Sequence, residues 1–238
     1  MSKDDIITAA VLVIGDEILS GRTKDRNIGA IAEHLTAIGI ALREVRIVGD
    51  VAEEIVAAVN ALRARYTYLF TTGGIGPTHD DITADAIGAA FGVPVEIDSR
   101  AVALMAPVYA ARGIELTPAR LRMARIPAGA DLIPNSASAA PGFKIGNVIV
   151  MAGVPDIMRS MLVAVTNQLR TGPKINSVSI VLARAEGDIA DLQQRLDKAN
   201  KAIQANSQAR RERIASARWG GQKQELLSHL AVGGISLS

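Results

Sequence analysis

The sequence lacks cysteine, has few aromatic residues and contains no long uninterrupted hydrophobic segment. Without cysteine it can form neither a disulfide nor a thiolate metal site. Hydrophobic residues make up 49% of the chain but aromatic residues only 3%, so the core must consist mainly of Ala, Val, Ile and Leu, as is typical of helices packed on a parallel sheet. With Asp4 and Asp5 at the N-terminus and no apolar run that indicates a signal peptide or membrane span, we expect a soluble, cytoplasmic protein.

The charge of the chain also argues against one class of partner. A formal net charge of +2 is too small to indicate a nucleic-acid-binding protein. Only residues 210–223 are locally basic, and a solvated tail explains them at least as well as a nucleic-acid contact. We therefore expect no nucleic-acid partner.

Residues 71–83, Thr-Thr-Gly-Gly-Ile-Gly-Pro-Thr-His-Asp-Asp-Ile-Thr, are the most informative stretch. The apolar residues before this stretch predict a short buried strand, and the pattern after it predicts a helix that ends at Gly92. A glycine turn between a strand and a helix points backbone N–H groups and the positive end of the helix dipole at one place. The stretch therefore predicts a binding site for phosphate or carboxylate.

Two readings of the acids in this stretch remain open. The glycines could form only a tight turn, with Thr78 and Asp81 as a capping pair. However, the pair Asp80-Asp81 is more acidic than a cap requires. Two carboxylates beside an anion site favour a hard cation such as Mg²⁺ between them and the ligand.

The order of elements predicts how distant loops come together. Residues 9–14 and 40–48 have the pattern of strands, and residues 25–39 and 51–62 that of amphipathic helices. Alternating strands and helices indicate a parallel sheet with right-handed crossovers, whose ligands lie at the carboxyl ends of the strands. Asp16 and Asp81 follow different strands at that edge, so we expect them to face one ligand.

The second half of the domain carries weaker signals. Ser99 is predicted to cap a helix that Pro107 kinks or ends. Thr117-Pro118 predicts the start of a helix with three arginines, which could reach a phosphate but more often form a solvated face: Arg120, Arg122 and Arg125. Gly153-Val154-Pro155 follows a predicted strand over 148–151 and opens a helix, giving a second cluster of backbone N–H groups.

We predict three parts in the chain. Residues 1–170 form the main α/β domain, residues 171–205 a small α+β appendage, and residues 206–238 a weakly patterned tail. The appendage is predicted to contain a strand over 178–182 and a helix over 186–203.

Three motifs in this order resemble the MoaB/Mog molybdopterin-binding domain family, and within it the N-terminal domain of CinA proteins. They lie at residues 15–21, 72–83 and 140–143, and the resemblance covers about residues 7–170. It implies a three-layer α/β/α sandwich with a mostly parallel sheet, a homo-oligomer and a small pterin or nucleotide ligand, with molybdopterin as one possibility. The implied ligand-binding residues are Thr72, Gly73, Gly74, Gly76, Pro77, Thr78, Asp80, Asn135, Gly142, Gly153 and Pro155.

The chain departs from the family pattern at three places. Ala152 stands where a proline is usual before Gly153, and Ser138 stands where a glycine is usual. Nothing after Ile203 resembles the usual end of the second domain, so we hypothesise a non-homologous tail, which a reading-frame change near residue 202 would explain.

The resemblance implies two alternative functions. In the first, Asp16 and Asp81 hold Mg²⁺ or another divalent cation and the protein is a metal-dependent pyrophosphatase that cleaves an ADP-ribose-like diphosphate. His79 is a weaker candidate for an acid or base there. In the second, the protein binds molybdopterin or a nucleotide without chemistry.

Overall fold

The computed structural model describes residues 6–172, 194, 196–203, 205–206 and 208. The strands are β1 (Thr8–Ile14), β2 (Ala41–Val48), β3 (Tyr68–Thr72), β4 (Val95–Ile97), β5 (Arg125–Pro127), β6 (Asp131–Ile133), β7 (Gly142–Ile145) and β8 (Val148–Met151). The helices are α1 (Asp16–Leu19), α2 (Asn27–Ala37), α3 (Ala52–Arg65), α4 (Thr83–Phe91), α5 (Ser99–Ala111), α6 (Pro118–Leu121) and α7 (Pro155–Thr166), with a 3₁₀ turn at Arg122–Ala124.

One six-stranded sheet, in the order β2-β1-β3-β8-β7-β6, organises the domain. The pairs β1–β2, β1–β3 and β3–β8 are parallel, while β7 is antiparallel to both β8 and β6. β4 and β5 form a separate antiparallel pair. The carboxyl ends of β1, β2, β3 and β8 therefore meet at one edge of the sheet, as the sequence predicts.

Alternation along β1 shows why the sheet is covered on both faces. Ala10, Leu12 and Ile14 pack into one core with residues of α3 and α4, and the intervening β1 residues pack into a second core with α2 and α7. Successive strand residues point to opposite faces, so an unbroken apolar run requires helices on both sides. The predicted three-layer α/β/α sandwich is confirmed.

Local predictions near α5 and α6 need correction. Asp98, and not Ser99, caps α5, because its carboxylate accepts the backbone N–H of Arg100 at 2.7 Å. The helix continues through Pro107 to Ala111; the proline removes the N–H that would bond Ala103, but Ala103 lies on the exposed side, where water can bond its carbonyl. Arg125 belongs to β5 because α6 ends after four residues.

The chain divides into two compact units, residues 1–177 and 178–238. In the second unit, residues 196–203 are helical and exposed, which agrees with that part of the helix predicted over 186–203. The predicted strand over 178–182 and almost all of the predicted tail lie outside the described residues, and the division at 170 and 205 stays a prediction. No helix in the described part of the chain is long and apolar enough to cross a membrane.

The contact between α2 and α7 gives a testable pH dependence. His34 Nε2 lies 2.7 Å from the Thr166 hydroxyl, which itself donates to the Leu162 carbonyl at 2.7 Å. Thr166 must therefore accept the proton of a neutral His34. Burial lowers the pKa of His34 below its usual 6.5. As the pH falls, His34 therefore becomes protonated in the unfolded chain before it does in the folded chain. The free energy of unfolding should fall as pH drops through 6.5.

Urea denaturation between pH 5 and pH 8 measures this effect. The His34→Gln variant should show a flatter pH dependence than the native chain. Identical pH profiles for the native chain and His34→Gln would contradict the assignment.

Candidate functional site

A cleft of about 500 Å³ lies at the carboxyl ends of β3 and β8. Seven of the predicted site residues line it: Gly73, Gly74, Gly76, Pro77, Asp81, Gly153 and Pro155. The structure thus joins the glycine loop after β3 to the Gly153–Pro155 turn after β8. Both walls come from loops that the parallel sheet brings to the same edge.

The glycine loop has no room for a side chain at two of its positions. Gly73 and Gly74 have φ angles of 102° and 66°, in the region that favours glycine. A Cβ at Gly73 would lie 2.1 Å from the Ile14 carbonyl oxygen, and one at Gly74 would lie 2.1 Å from Thr83 Oγ1. Thr83 fixes the loop from α4, since its hydroxyl donates to the Gly73 carbonyl at 2.9 Å and its N–H to the Gly74 carbonyl at 3.0 Å.

Backbone N–H groups around the cleft are left without partners. The N–H groups of Gly74, Ile75 and Gly76 make no hydrogen bond to any described residue. In the adjoining turn after β8, the N–H groups of Gly153 and Val154 also lack a partner among the described residues. Unpaired amides of this kind form sites for anions.

Asp81 is held back against its own loop. Its carboxylate accepts the N–H of Thr78 at 2.8 Å and also the Thr78 hydroxyl. A Cβ at Gly76 would lie 2.6 Å from the same carboxylate, so glycine gives this acid its space. The contact expected of a capping pair, between Thr78 and Asp81, is therefore present, although α4 begins only at Thr83.

The predicted partner Asp16 does not line the cleft; its neighbour Glu17 does. Asp16 donates its N–H to Asp50 at 3.0 Å, and a Cβ at Gly49 would lie 2.5 Å from the Asp16 carboxylate. Burial raises the pKa of Asp50; the hydrogen bond from Asp16 acts in the opposite direction, and the charges of Asp16, Glu17 and Asp80 add to the rise. Acids from three loops therefore lie close together at this edge.

Three other predicted residues, Thr72, Asn135 and Gly142, do not line the cleft. Thr72 is buried in β3, and its hydroxyl has no hydrogen-bond partner among the described residues. The Asn135 side chain donates to the Ala140 carbonyl at 2.7 Å and accepts the N–H of Ser138, so it closes its own loop. Gly142 allows a close approach, because a Cβ there would lie 2.4 Å from the Val150 carbonyl oxygen.

The metal prediction can be compared with the side chains present. Among the described residues, no three His, Cys, Asp or Glu side chains are placed to hold one ion. The acids that line the cleft are Glu17 and Asp81. Mg²⁺ is commonly held by one or two carboxylates together with phosphates of the substrate, so these two acids fit an ion that arrives with a diphosphate and do not fit a permanently bound one.

Ten residues that line the cleft were not among the predicted ligand-binding residues, and most of them are apolar. They are Glu17, Thr23, Ile75, Met123, Ser138, Ala140, Ala152, Val154, Ile157 and Met161. Ser138 and Ala152 are two of the three places where the chain departs from the family pattern, and both line the cleft. Their departure from the pattern was the signal that could have identified them.

Fold and site together define a doubly wound α/β domain with a ligand-binding cleft at the carboxyl edge of its sheet. Residues 10–171 match the model of one family, described as "Probable molybdopterin binding domain". The chain belongs to this family, and the resemblance stated from its motifs is confirmed.

The chain is also similar to individual proteins. A protein of Metallosphaera sedula is 35% identical over 171 residues, covering 70% of this chain and 64% of that protein. A protein of Pyrobaculum calidifontis is 32% identical over 209 residues, covering 84% of this chain and 80% of that one. The crystal structure of CinA from Thermoplasma acidophilum, described as of unknown function, has a TM-score of 0.63 and 34% identity, covering 69% of this chain and 98% of that chain.

Proposed function

We propose that this protein binds a pterin or nucleotide through its phosphate and hydrolyses a diphosphate of the ADP-ribose type. The observation that carries binding is the row of unpaired N–H groups at Gly74, Ile75 and Gly76 beside the cleft. Leaving buried or half-buried amides unpaired costs free energy. A phosphate oxygen would pair them, and the start of α7, with further unpaired amides, lines the same cleft.

The rest of the cleft suits a flat heterocycle. Its apolar lining includes Ile75, Met123, Ile157 and Met161, and methionine adapts well to planar rings. Ser138 supplies a polar group beside this surface. A serine hydroxyl can both donate to and accept from an aminopyrimidine or aminopterin ring, so the ring would bind on this surface and the phosphate on the glycine-loop amides.

The proposed reaction is hydrolysis of the P–O–P bond. Water attacks one phosphorus, the bridging oxygen leaves with the other phosphate, and ADP-ribose gives AMP and ribose 5-phosphate. The loop amides would stabilise the charge that develops on the phosphate oxygens. A divalent cation bound with the diphosphate would polarise it, and Asp81, with Glu17, would orient that complex. Asp16 stays a candidate through its place beside Glu17 and Asp50.

Binding without chemistry is the second candidate function. The hydrogen bonds from Thr78 to Asp81 favour it, because a carboxylate that already accepts two hydrogen bonds is less available to a cation. In this case Asp81 only fixes the loop. Affinity would then be independent of divalent cations, and no product would form.

One experiment separates the two functions. The native protein is incubated with ADP-ribose in Mg²⁺ or in EDTA, and AMP is measured by chromatography while melting temperature is followed in parallel. We expect AMP only with Mg²⁺, and stabilisation of about 2.7 kcal/mol at a hundredfold excess of ligand over its Kd. Stabilisation without AMP under either condition would leave binding as the function, and no stabilisation by any pterin or nucleotide would reject both.

A further inference from the structure

The cleft has an unusual charge for a phosphate site. Among the described residues that line it are two acids, Glu17 and Asp81, and neither a lysine nor an arginine. Amides alone can hold one phosphate group, but a second phosphate adds negative charge next to Asp81. Without a bound divalent cation, a diphosphate ligand therefore needs a cationic side chain close to the glycine loop.

Arg122 is placed to meet this need. Its Nε donates to the carbonyl of Thr78 at 3.1 Å, across 44 residues of sequence. It lies beside Gly76 and Asp81 in a small hollow that adjoins the cleft and shares these two residues with it. The next residue, Met123, lines both spaces. Arg122 thus stands at the end of the phosphate loop, next to the ligand space.

The neighbouring arginines are already engaged. Arg125 makes a two-pronged ion pair with Asp85, with both N–O distances at 2.7 Å. Arg120 donates to the Glu115 carbonyl at 2.7 Å and stacks over Tyr109. The Nη groups of Arg122, in contrast, have no partner among the described residues, while its Nε bond fixes the plane of the guanidinium. A guanidinium held in this way is ready to bind two phosphate oxygens at once.

The geometry points to Arg122 as the residue that binds the terminal phosphate and makes the cleft selective for diphosphates over monophosphates. This inference rests on the proposed function, because it assigns the second phosphate of the same ligand. The first phosphate lies on the amides of Gly74, Ile75 and Gly76. The second lies at the edge of the hollow, where Arg122 offsets the charge of Asp81.

Calorimetric titration with ADP and AMP in EDTA tests the selectivity without any metal. The native protein should bind ADP at least tenfold more tightly than AMP. Arg122→Gln should weaken ADP binding by about tenfold to a hundredfold, as expected for loss of a charge-assisted hydrogen bond, and leave AMP binding unchanged. Arg122→Lys should recover only part of the loss, since lysine lacks the two-pronged geometry.

Arg120→Gln is the matched control, because it removes an equal charge two residues away without touching the loop. It should bind both nucleotides as the native protein does. Equal losses for ADP and AMP in Arg122→Gln would show that Arg122 only holds the loop, and would overturn the inference. Equal affinity of the native protein for ADP and AMP would also overturn it while leaving the proposed function intact. No binding of either nucleotide in EDTA would overturn it as well, and would count against the proposed function only if Mg²⁺ failed to restore binding.

Discussion

Gly73→Ala should lower the free energy of unfolding by roughly 4 kcal/mol, because a left-handed non-glycine residue costs about 1–3 kcal/mol and overpacking about 1–3 kcal/mol more. Its Cβ would lie 2.1 Å from the Ile14 carbonyl oxygen of β1. A backbone atom of a central strand cannot rotate away as a side chain can. Urea denaturation, with the slope compared to confirm that only stability changes, measures the loss.

Gly129→Ala provides the matched control for this prediction. Gly129 also has a positive φ, 82°, but a Cβ there would meet nothing within 4 Å. The control should cost only about 1–2 kcal/mol, the price of the backbone conformation alone. Equal losses in the two variants would mean that the contact with β1 does not matter. A surviving Gly73→Ala protein should also have a disturbed cleft, since Gly153 packs on the Cα of Gly73.

The layers of the fold could be predicted because each depends on local pattern. The apolar run of β1 has residues on both faces of the sheet, and it packs against helices on both sides. The glycine loop and Gly153-Val154-Pro155 were recognisable as turns at strand ends. Parallel topology then placed them at one edge without any knowledge of side-chain contacts.

The direction of individual side chains could not be predicted in the same way. Asp16 and Glu17 are adjacent in sequence, yet only Glu17 lines the cleft. Asp50 was missed because nothing in its local sequence shows that its carboxylate accepts the N–H of Asp16, 34 residues away. Such contacts depend on how loops from different strands pack, which spacing within one segment does not encode.

The path of the chain after α5 could also be predicted only in part. Thr117-Pro118 correctly predicted the start of α6, but the helix lasts only four residues and the chain then turns into β5. This short path carries Arg122 to Thr78 and Met123 to the cleft. The sequence could not show whether the three arginines form a solvated face or contact a phosphate. Only the tertiary structure shows that Arg120, Arg122 and Arg125 each make a different contact.

Asp81→Asn should reduce the Mg²⁺-dependent release of AMP from ADP-ribose about a hundredfold, as expected when the group that orients the cation–diphosphate complex is lost. The asparagine oxygen can still accept the N–H of Thr78, which Asp81 accepts at 2.8 Å, so the loop should keep its shape while the negative charge is lost.

Asp131→Asn, at an exposed position on β6, is the matched control and should retain full activity. If Asp81→Asn hydrolyses ADP-ribose at the native rate, Asp81 only caps the loop and the catalytic assignment fails. If its melting temperature also falls by more than that of the control, the loss of activity reports a damaged loop, and binding of AMP in EDTA then decides whether the amide site has survived.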